Sequence, residues 1–277
     1  MGEGSWTRRW TEATADQAEI YDTVLVPGVF GPCAGRLVAL AVSGREGTVL
    51  DAGCGTGAVA RAVSVLLEPM ASVVAVDVNA SMLDAARRHQ VGGDAAVDFE
   101  TETGDLRELP FSEGVFDLVL CQHVLQYVAD RAGAVRELAR VVKPGGPVWV
   151  VVWGALADNP LFAAVTELVD VTWGPEVAAR FAGPWSVPPD RVQEHMVHAG
   201  LTGLRAHRIE FEAMFPSRED IMWIVAFSPV GALLQRLVPE ARGDFAARVL
   251  RLAGNGHPTG AVRVPVVAWA VQGRRPP

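Results

Sequence analysis

The stretch Val49-Leu50-Asp51-Ala52-Gly53-Cys54-Gly55-Thr56-Gly57 constrains this chain more than any other. Thr48, Val49 and Leu50 read as a short buried strand, and Ala58 to Val63 as a helix. Glycines stand between them at positions 53, 55 and 57. Glycine has no Cβ, so the backbone can turn tightly there and let a ligand lie against it. The helix that follows presents free N–H groups and a partial positive charge. Two ligand geometries share this outline. The dinucleotide fingerprint G-x-G-x-x-G seats a pyrophosphate on the helix. Here the order is D-x-G-x-G-x-G, with Asp51 ahead of the turn, and the segments downstream decide between them.

Ser72 to Val78 is a continuous β-branched run, as suits a strand buried on both faces. At its end Asp77 can accept hydrogen bonds from both hydroxyls of a ribose. Asn79 reads as the cap of a helix with Met82, Leu83 and Ala86 on one face, and Val78 and Met82 are placed to pack near a base. Residues 96–100 read as a third strand leading to Gly104-Asp105-Leu106, where Asp105 can accept from an exocyclic amino group. Phe116 to Cys121 is the fourth strand, and Gln122-His123-Val124-Leu125-Gln126-Tyr127 leaves its carboxyl end. In doubly wound sheets that edge binds ligands. Asp130 caps the next helix, Lys143-Pro144-Gly145-Gly146 ends it, and Val148 to Trp153 is a fifth strand. Thr202–Phe215 and Val262–Val271 read as the last two.

Together, Asp51 to Gly57, Asp77, Gly104-Asp105-Leu106 with Leu109-Pro110-Phe111, Phe116-Asp117, Leu125-Gln126 and Lys143 to Gly146 resemble the class I S-adenosylmethionine (SAM) dependent methyltransferases. The subgroup resembled is a bacterial, small-molecule one of the type 11/25 kind, through Cys-Gln-x-x-Leu-Gln after strand four and Tyr21 with Leu25-Val26-Pro27. The resemblance implies an α/β, Rossmann-like sheet of seven strands, mostly parallel with the last antiparallel, flanked by helices and carrying a helical cap. It implies SAM as cofactor, held by Asp51, Gly53, Cys54, Gly55, Gly57, Asp77, Val78, Met82, Gly104, Asp105, Leu106, Gln122 and Gln126. It divides the chain into an N-terminal helical lid (1–42), a SAM-binding core (43–157) and a C-terminal half (158–277). Cap insertions at about 158–183 and 217–253 belong to that last part.

The N-terminal piece reads as helical up to Tyr21 and again from about Pro32, with Leu25-Val26-Pro27-Gly28 and Phe30-Gly31-Pro32 breaking the pattern. Trp6, Trp10, Tyr21 and Phe30 are candidate walls of the lid. With Trp153, Trp185 and Trp223, Trp10 and Phe30 suit an apolar substrate pocket. Methyl transfer from a sulfonium needs a nucleophile in line at about 3 Å and a dry site, and it needs no metal. A base matters only for a hydroxyl, phenol or ammonium acceptor. His123 is the first candidate base and Tyr21 the second; His195, His198, His207 and His257 read as cap or edge residues. The expected reaction is methyl transfer to a small, largely apolar metabolite in biosynthesis, on oxygen ahead of nitrogen or carbon. The alternative is a SAM-binding relative that runs a non-methylating cyclisation, of pericyclic type, in the same pocket.

A formal net charge of −8 disfavours a nucleic-acid backbone as partner. The expected partner is a small molecule rather than nucleic acid or membrane, with the protein a monomer or homodimer. Cys33, Cys54 and Cys121 are far apart without metal-ligand spacing, and read as reduced thiols of a cytoplasmic protein. No apolar run reads as long and uncharged enough to span a bilayer.

Overall fold

The computed structural model describes residues 15–42, 47–68, 70–90, 98–217, 219–228, 230–252 and 261–277. Seven strands, β1 (Thr48–Ala52), β2 (Ser72–Asp77), β3 (Phe99–Thr103), β4 (Leu118–Gln122), β5 (Pro147–Trp153), β6 (Thr202–Phe215) and β7 (Val262–Arg274), form one sheet. Their order is β3-β2-β1-β4-β5-β7-β6. The first five pair in parallel, and β7 runs antiparallel between β5 and β6. Strand order therefore reverses between β1 and β4, and the crevice at their carboxyl ends is where such sheets hold ligands.

Alternate residues of each central strand enter opposite cores, as the pleat requires. Val49, Leu118, Leu120, Trp149, Val151 and Trp153 pack on one side; Leu50, Ala52, Val119, Cys121, Val148 and Val150 pack on the other. The third strand sits three residues later than its sequence suggests. Only Phe99 among its residues is buried, so apolar pattern gave little guidance. Register with β2, Val73 against Phe99, positions it instead.

The N-terminal helix is the largest departure from the sequence reading. Helix α1 (Ala15–Ile20) continues through a π-helical segment, Tyr21–Phe30, into α2 (Gly31–Ala41) without a break. Proline lacks an N–H, which interrupts an ordinary helix. Here the wider winding absorbs Pro27: the Gly31 N–H reaches back five residues to the Val26 carbonyl. Gly28 is pressed against β6, where a Cβ would lie 2.4 Å from the Met214 carbonyl oxygen. The unbroken helix also corrects the bilayer expectation: Gln17–Ala41, 25 residues containing an 18-residue window of mean hydropathy 1.7, is long and apolar enough to cross one. In this fold Leu25, Val29, Cys33 and Leu37 bury its apolar face in the core beside β5. Full burial of a side chain such as Leu37 contributes about 2 kcal/mol.

Helices α3 (Ala58–Ser64), α4 (Ala80–Arg88) and α5 (Arg131–Val141) connect the parallel strands. Asn79 caps α4 by accepting from Ser81 and Met82 N–H groups, and Asp130 caps α5 by accepting from Gly133. Beyond β5 come α6 (Pro160–Trp173), α7 (Pro175–Ala182), a short turn at Gly183–Trp185, and α8 (Pro189–His198). Between β6 and β7 lie α9 (Met222–Ala226), α10 (Gly231–Arg236) and α11 (Pro239–Leu252). The two groups meet as a cap, with Trp173 of α6 against Phe245 of α11 at 5.0 Å between rings.

Candidate active site

The glycine turn is bent back over β2. Gly53 and Cys54 N–H groups both donate to the Val76 carbonyl, at 2.8 and 2.9 Å. Gly53 has φ 74° and lies so near Val124 that a Cβ would stand 2.5 Å from its methyl. Only glycine can hold this bend. Gly55 (φ 54°) donates its N–H to Asp77 Oδ2 at 2.8 Å, and Asn79 N–H donates to Asp77 Oδ1 at 2.9 Å. Asp51, 1 % exposed at the end of β1, accepts from Ala60 N–H at 2.9 Å.

A buried carboxylate, Asp51, and a half-buried one, Asp77, thus flank one glycine bend. Burial pushes Asp51 up to about 7, against the opposing pull of the Ala60 N–H, with the charge of Asp77 adding to the rise. Burial raises Asp77 as well, opposed by the N–H groups of Asn79, Gly55 and Val78. A site that strains two carboxylates in this way favours hydroxyl and cationic groups as its occupant. Farther along the same wall, Asp105 is forked by Arg107 at 2.6 to 3.1 Å, and that pairing holds its carboxyl below the usual range.

The lid closes the other wall. Tyr21 stacks on Phe30 at 5.0 Å, and both line the cavity with the glycine bend. Asp22 anchors this segment to α3 through Arg61 at 2.7 Å and stands 3.6 Å from His89 beyond α4, which also meets Glu19 at 3.2 Å.

At the end of β4, Gln122 donates to the Phe30 carbonyl at 3.1 Å. His123 follows at φ 55°, the one non-glycine residue with positive φ among those described. Its ring stacks on Trp153 at 3.6 Å, its Nε2 lies 3.4 Å from Cys33 Sγ, and its Nδ1 is buried without a partner. Burial pushes this imidazole down to about 3 and the Cys33 thiol up to about 12, so both are neutral at pH 7.

These elements enclose a cavity of about 270 Å³. Tyr21, Phe30, Asp51, Gly53, Cys54, Gly55, Asp77, Val78, Met82, Asp105, Leu106, Gln122 and His123 line it, as the sequence suggests. Gly57, Gly104 and Gln126 do not. A Cβ on Gly57 would press the Phe99 ring at 3.0 Å, and one on Gly104 would meet Pro110 at 2.7 Å, so these two glycines serve packing behind the wall. Gln126 is buried in the Leu125–Tyr127 turn. Trp10, like Trp6, lies outside the described residues.

A second cavity of about 60 Å³ lies under the cap and shares Phe30 and Tyr127 with the first. Trp153 and Trp185 line it, whereas Trp223 packs on Phe227 at 5.9 Å behind it. Sequence reasoning passed over Arg107, Val124 and Tyr127 as lining residues, and Cys33 as the neighbour of His123. Tyr127, an aromatic directly after Leu125-Gln126, was the one that adjacency to the motif could have flagged.

Comparison with known proteins points to a family for the core. Residues 50–150 match the methyltransferase domain family. This matched core is similar to class I SAM-dependent methyltransferase domains. A ubiquinone biosynthesis O-methyltransferase of Pseudomonas paraeruginosa is 37 % identical to this chain over 123 residues, 43 % of this chain and 49 % of that protein. A ubiquinone/menaquinone biosynthesis C-methyltransferase of Ectopseudomonas mendocina is 32 % identical over 127 residues, 46 % and 49 % of the two chains. The chain spans about half the length of these curated relatives. In fold, the chain is similar to phosphoethanolamine N-methyltransferase 2 of Haemonchus contortus in complex with SAM (TM-score 0.60, 16 % identity, 100 % of this chain and 60 % of that one). It is also similar to the [4+2]-cyclase SpnF (TM-score 0.52, 18 % identity, 89 % and 81 %).

The cradle suits that cofactor. When bound, SAM supplies a methyl group activated by a sulfonium. The carboxylates of Asp51 and Asp77 complement a cation with ribose hydroxyls, and Asp105 retains lone pairs for an amino group.

Proposed function

We propose that the whole chain methylates an uncharged aromatic acceptor on a hydroxyl oxygen. The observation that carries this reading is the second cavity: Phe30, Trp153, Phe162, Trp185 and Phe227 line it, with no Asp, Glu, Lys or Arg among its walls. Such a lining favours a flat, neutral ring and gives a charged acceptor nothing to pair with. The shared residues Phe30 and Tyr127 join it to the cofactor cavity, so an acceptor under the cap can present one edge to the methyl group. The name of the Pseudomonas relative agrees with oxygen as the atom methylated.

His123 is the proton acceptor in this reading. An imidazole pushed down to about 3 does not ionise a phenol in advance. It can take the proton as the oxygen becomes alkylated, because the oxygen is then far more acidic. In balance, the O–CH3 bond forms as the S–CH3 bond breaks, that electron pair passes to sulfur, and the O–H proton passes to Nδ1. Tyr21 acts as a wall rather than a base, since burial holds its hydroxyl well above the usual range.

The same weak base favours a second reading, a non-methylating cyclisation in the capped pocket, for which a neutral aromatic cage is sufficient. Incubation with methyl-labelled SAM and a panel of neutral phenols separates the two. Label in an ether product, lost in His123→Ala with SAM affinity intact, is the expected result. Product formed without cofactor consumption would replace methyl transfer with cyclisation.

A further inference from the structure

The sheet face beneath the lid helix is left open at one end. On β6, Ile209, Phe211, Ala213 and Phe215 are buried in the core on that side. Earlier on the same face the pattern changes to half-buried His207 and exposed Arg205, because α2 stops at Ala41. Register carries the change across the sheet. Gln272 of β7 stands between Arg205 of β6 and Trp149 of β5, and Arg274 pairs with Pro147 one row further down.

A cavity of about 440 Å³ occupies this end. Leu40, Ala41, Pro147 and the Trp149 ring form an apolar side, and Arg205, His207, Gln272 and Arg274 a polar one. It shares no lining residue with the cofactor cavity or the capped one. Trp149 lines this cavity and Trp153 the capped one; four residues of β5 between them span about 13 Å.

The polar side has no negative charge. Among the described residues no Asp or Glu lines the cavity, and neither Arg205 nor Arg274 is ion-paired. Arg274 gives an N–H to the Gly145 carbonyl at 3.0 Å. Elsewhere Arg61, Arg107 and Arg140 meet carboxylates, whereas here two guanidinium groups share one cavity with none. Like charges held together repel, and an anion between them removes that repulsion. Trp149 Nε1 and His207 Nε2, both in wall residues, are also buried without a partner, with the two rings 5.5 Å apart.

We propose that this cavity binds a small organic oxyanion, a carboxylate or phosphate monoester carried on a flat apolar body. Guanidinium forks match the oxygens of such a head, and the apolar side takes the body. A neutral aromatic gains the second contact without the first. The cavity lies at the opposite end of β5 from the glycine bend, so it holds its ligand together with the cofactor rather than in its place.

Calorimetric titration of the full chain with 2-naphthoate, 2-naphthyl phosphate and neutral 2-naphthamide tests this without any methyl transfer. One of the two anions is expected to bind at least about tenfold tighter than the amide, through charge-assisted hydrogen bonds. Arg205→Gln and Arg274→Gln are each expected to weaken that anion at least about fivefold. An unchanged melting temperature shows that the fold is intact in both variants. The affinity should persist with saturating S-adenosylhomocysteine present. Neither anion binding tighter than the amide would overturn the site. Anion binding that survives the two substitutions combined, or that S-adenosylhomocysteine displaces, would place the anion elsewhere and overturn it too.

Discussion

Asp51 shows how one residue can be costly to the fold and useful to the site. Its carboxyl titrates at about 7 when buried, against an ordinary value of 3.8. Between those values the folded chain holds a proton that the unfolded chain releases, so this contribution to stability is fully present below about 4 and is lost as pH rises to 7. The limiting slope is about 1.4 kcal/mol per pH unit. His123 acts in the opposite sense: with its pKa pushed down to about 3 from 6.5, its contribution is present above the unfolded value and lost as pH falls. In calorimetry of the cofactor-free protein, Asp51→Asn is expected to gain melting temperature over the native chain steadily from pH 4 to 7. A constant difference across that range would show that Asp51 keeps an ordinary pKa. Residue types and spacing made Asp51 and Asp77 legible in the sequence. They did not reveal the Cys33–His123 contact, which joins positions 90 residues apart through the packing of α2 on β4 and β5.

At the level of elements, the lid is held at its first turns by charge and farther on by apolar packing. The Asp22–Arg61 pair is largely buried, with side chains 8 % and 16 % exposed, and removing one partner of such a pair costs on the order of 3 kcal/mol. Asp22→Ala is expected to speed amide exchange across residues 17–30 while leaving β4 and β5 protected. Unchanged exchange there would mean that apolar packing alone seats the lid. The sequence marked this stretch as helical on either side, but Pro27 and Gly28 suggested a break. The break is absent because a neighbouring strand, remote in sequence, fixes the glycine, and because wider winding accommodates the proline. Phe99 to Thr103 carries the converse lesson: an exposed edge strand has little apolar pattern, so its position depends on pairing with β2.

For the molecule as a whole, the strand runs follow from local signals repeated along the chain, each a strand run, a turn or a capped helix, while their arrangement in one sheet was legible through the family resemblance. The capped cavity does not, because its rings at 30, 153, 162, 185 and 227 are drawn from five separate segments and converge only on folding. A cofactor bridging β1, β2, β4 and the lid should stabilise them together. S-adenosylhomocysteine at a hundred times its dissociation constant is expected to stabilise the fold by about 2.7 kcal/mol, read as a rise in melting temperature. No rise at saturating concentration would remove the cofactor assignment.

The odd winding of Tyr21–Phe30 has a geometric result. Nine steps at about 100° each would send the first and last rings of an ordinary helix to opposite sides of its axis. Carried by the wider winding, whose N–H groups reach back five residues, they arrive on the same side, nearly parallel and 5.0 Å apart. Tightening this stretch to regular pitch would pull the aromatic pair out of phase and open the roof above the glycine bend.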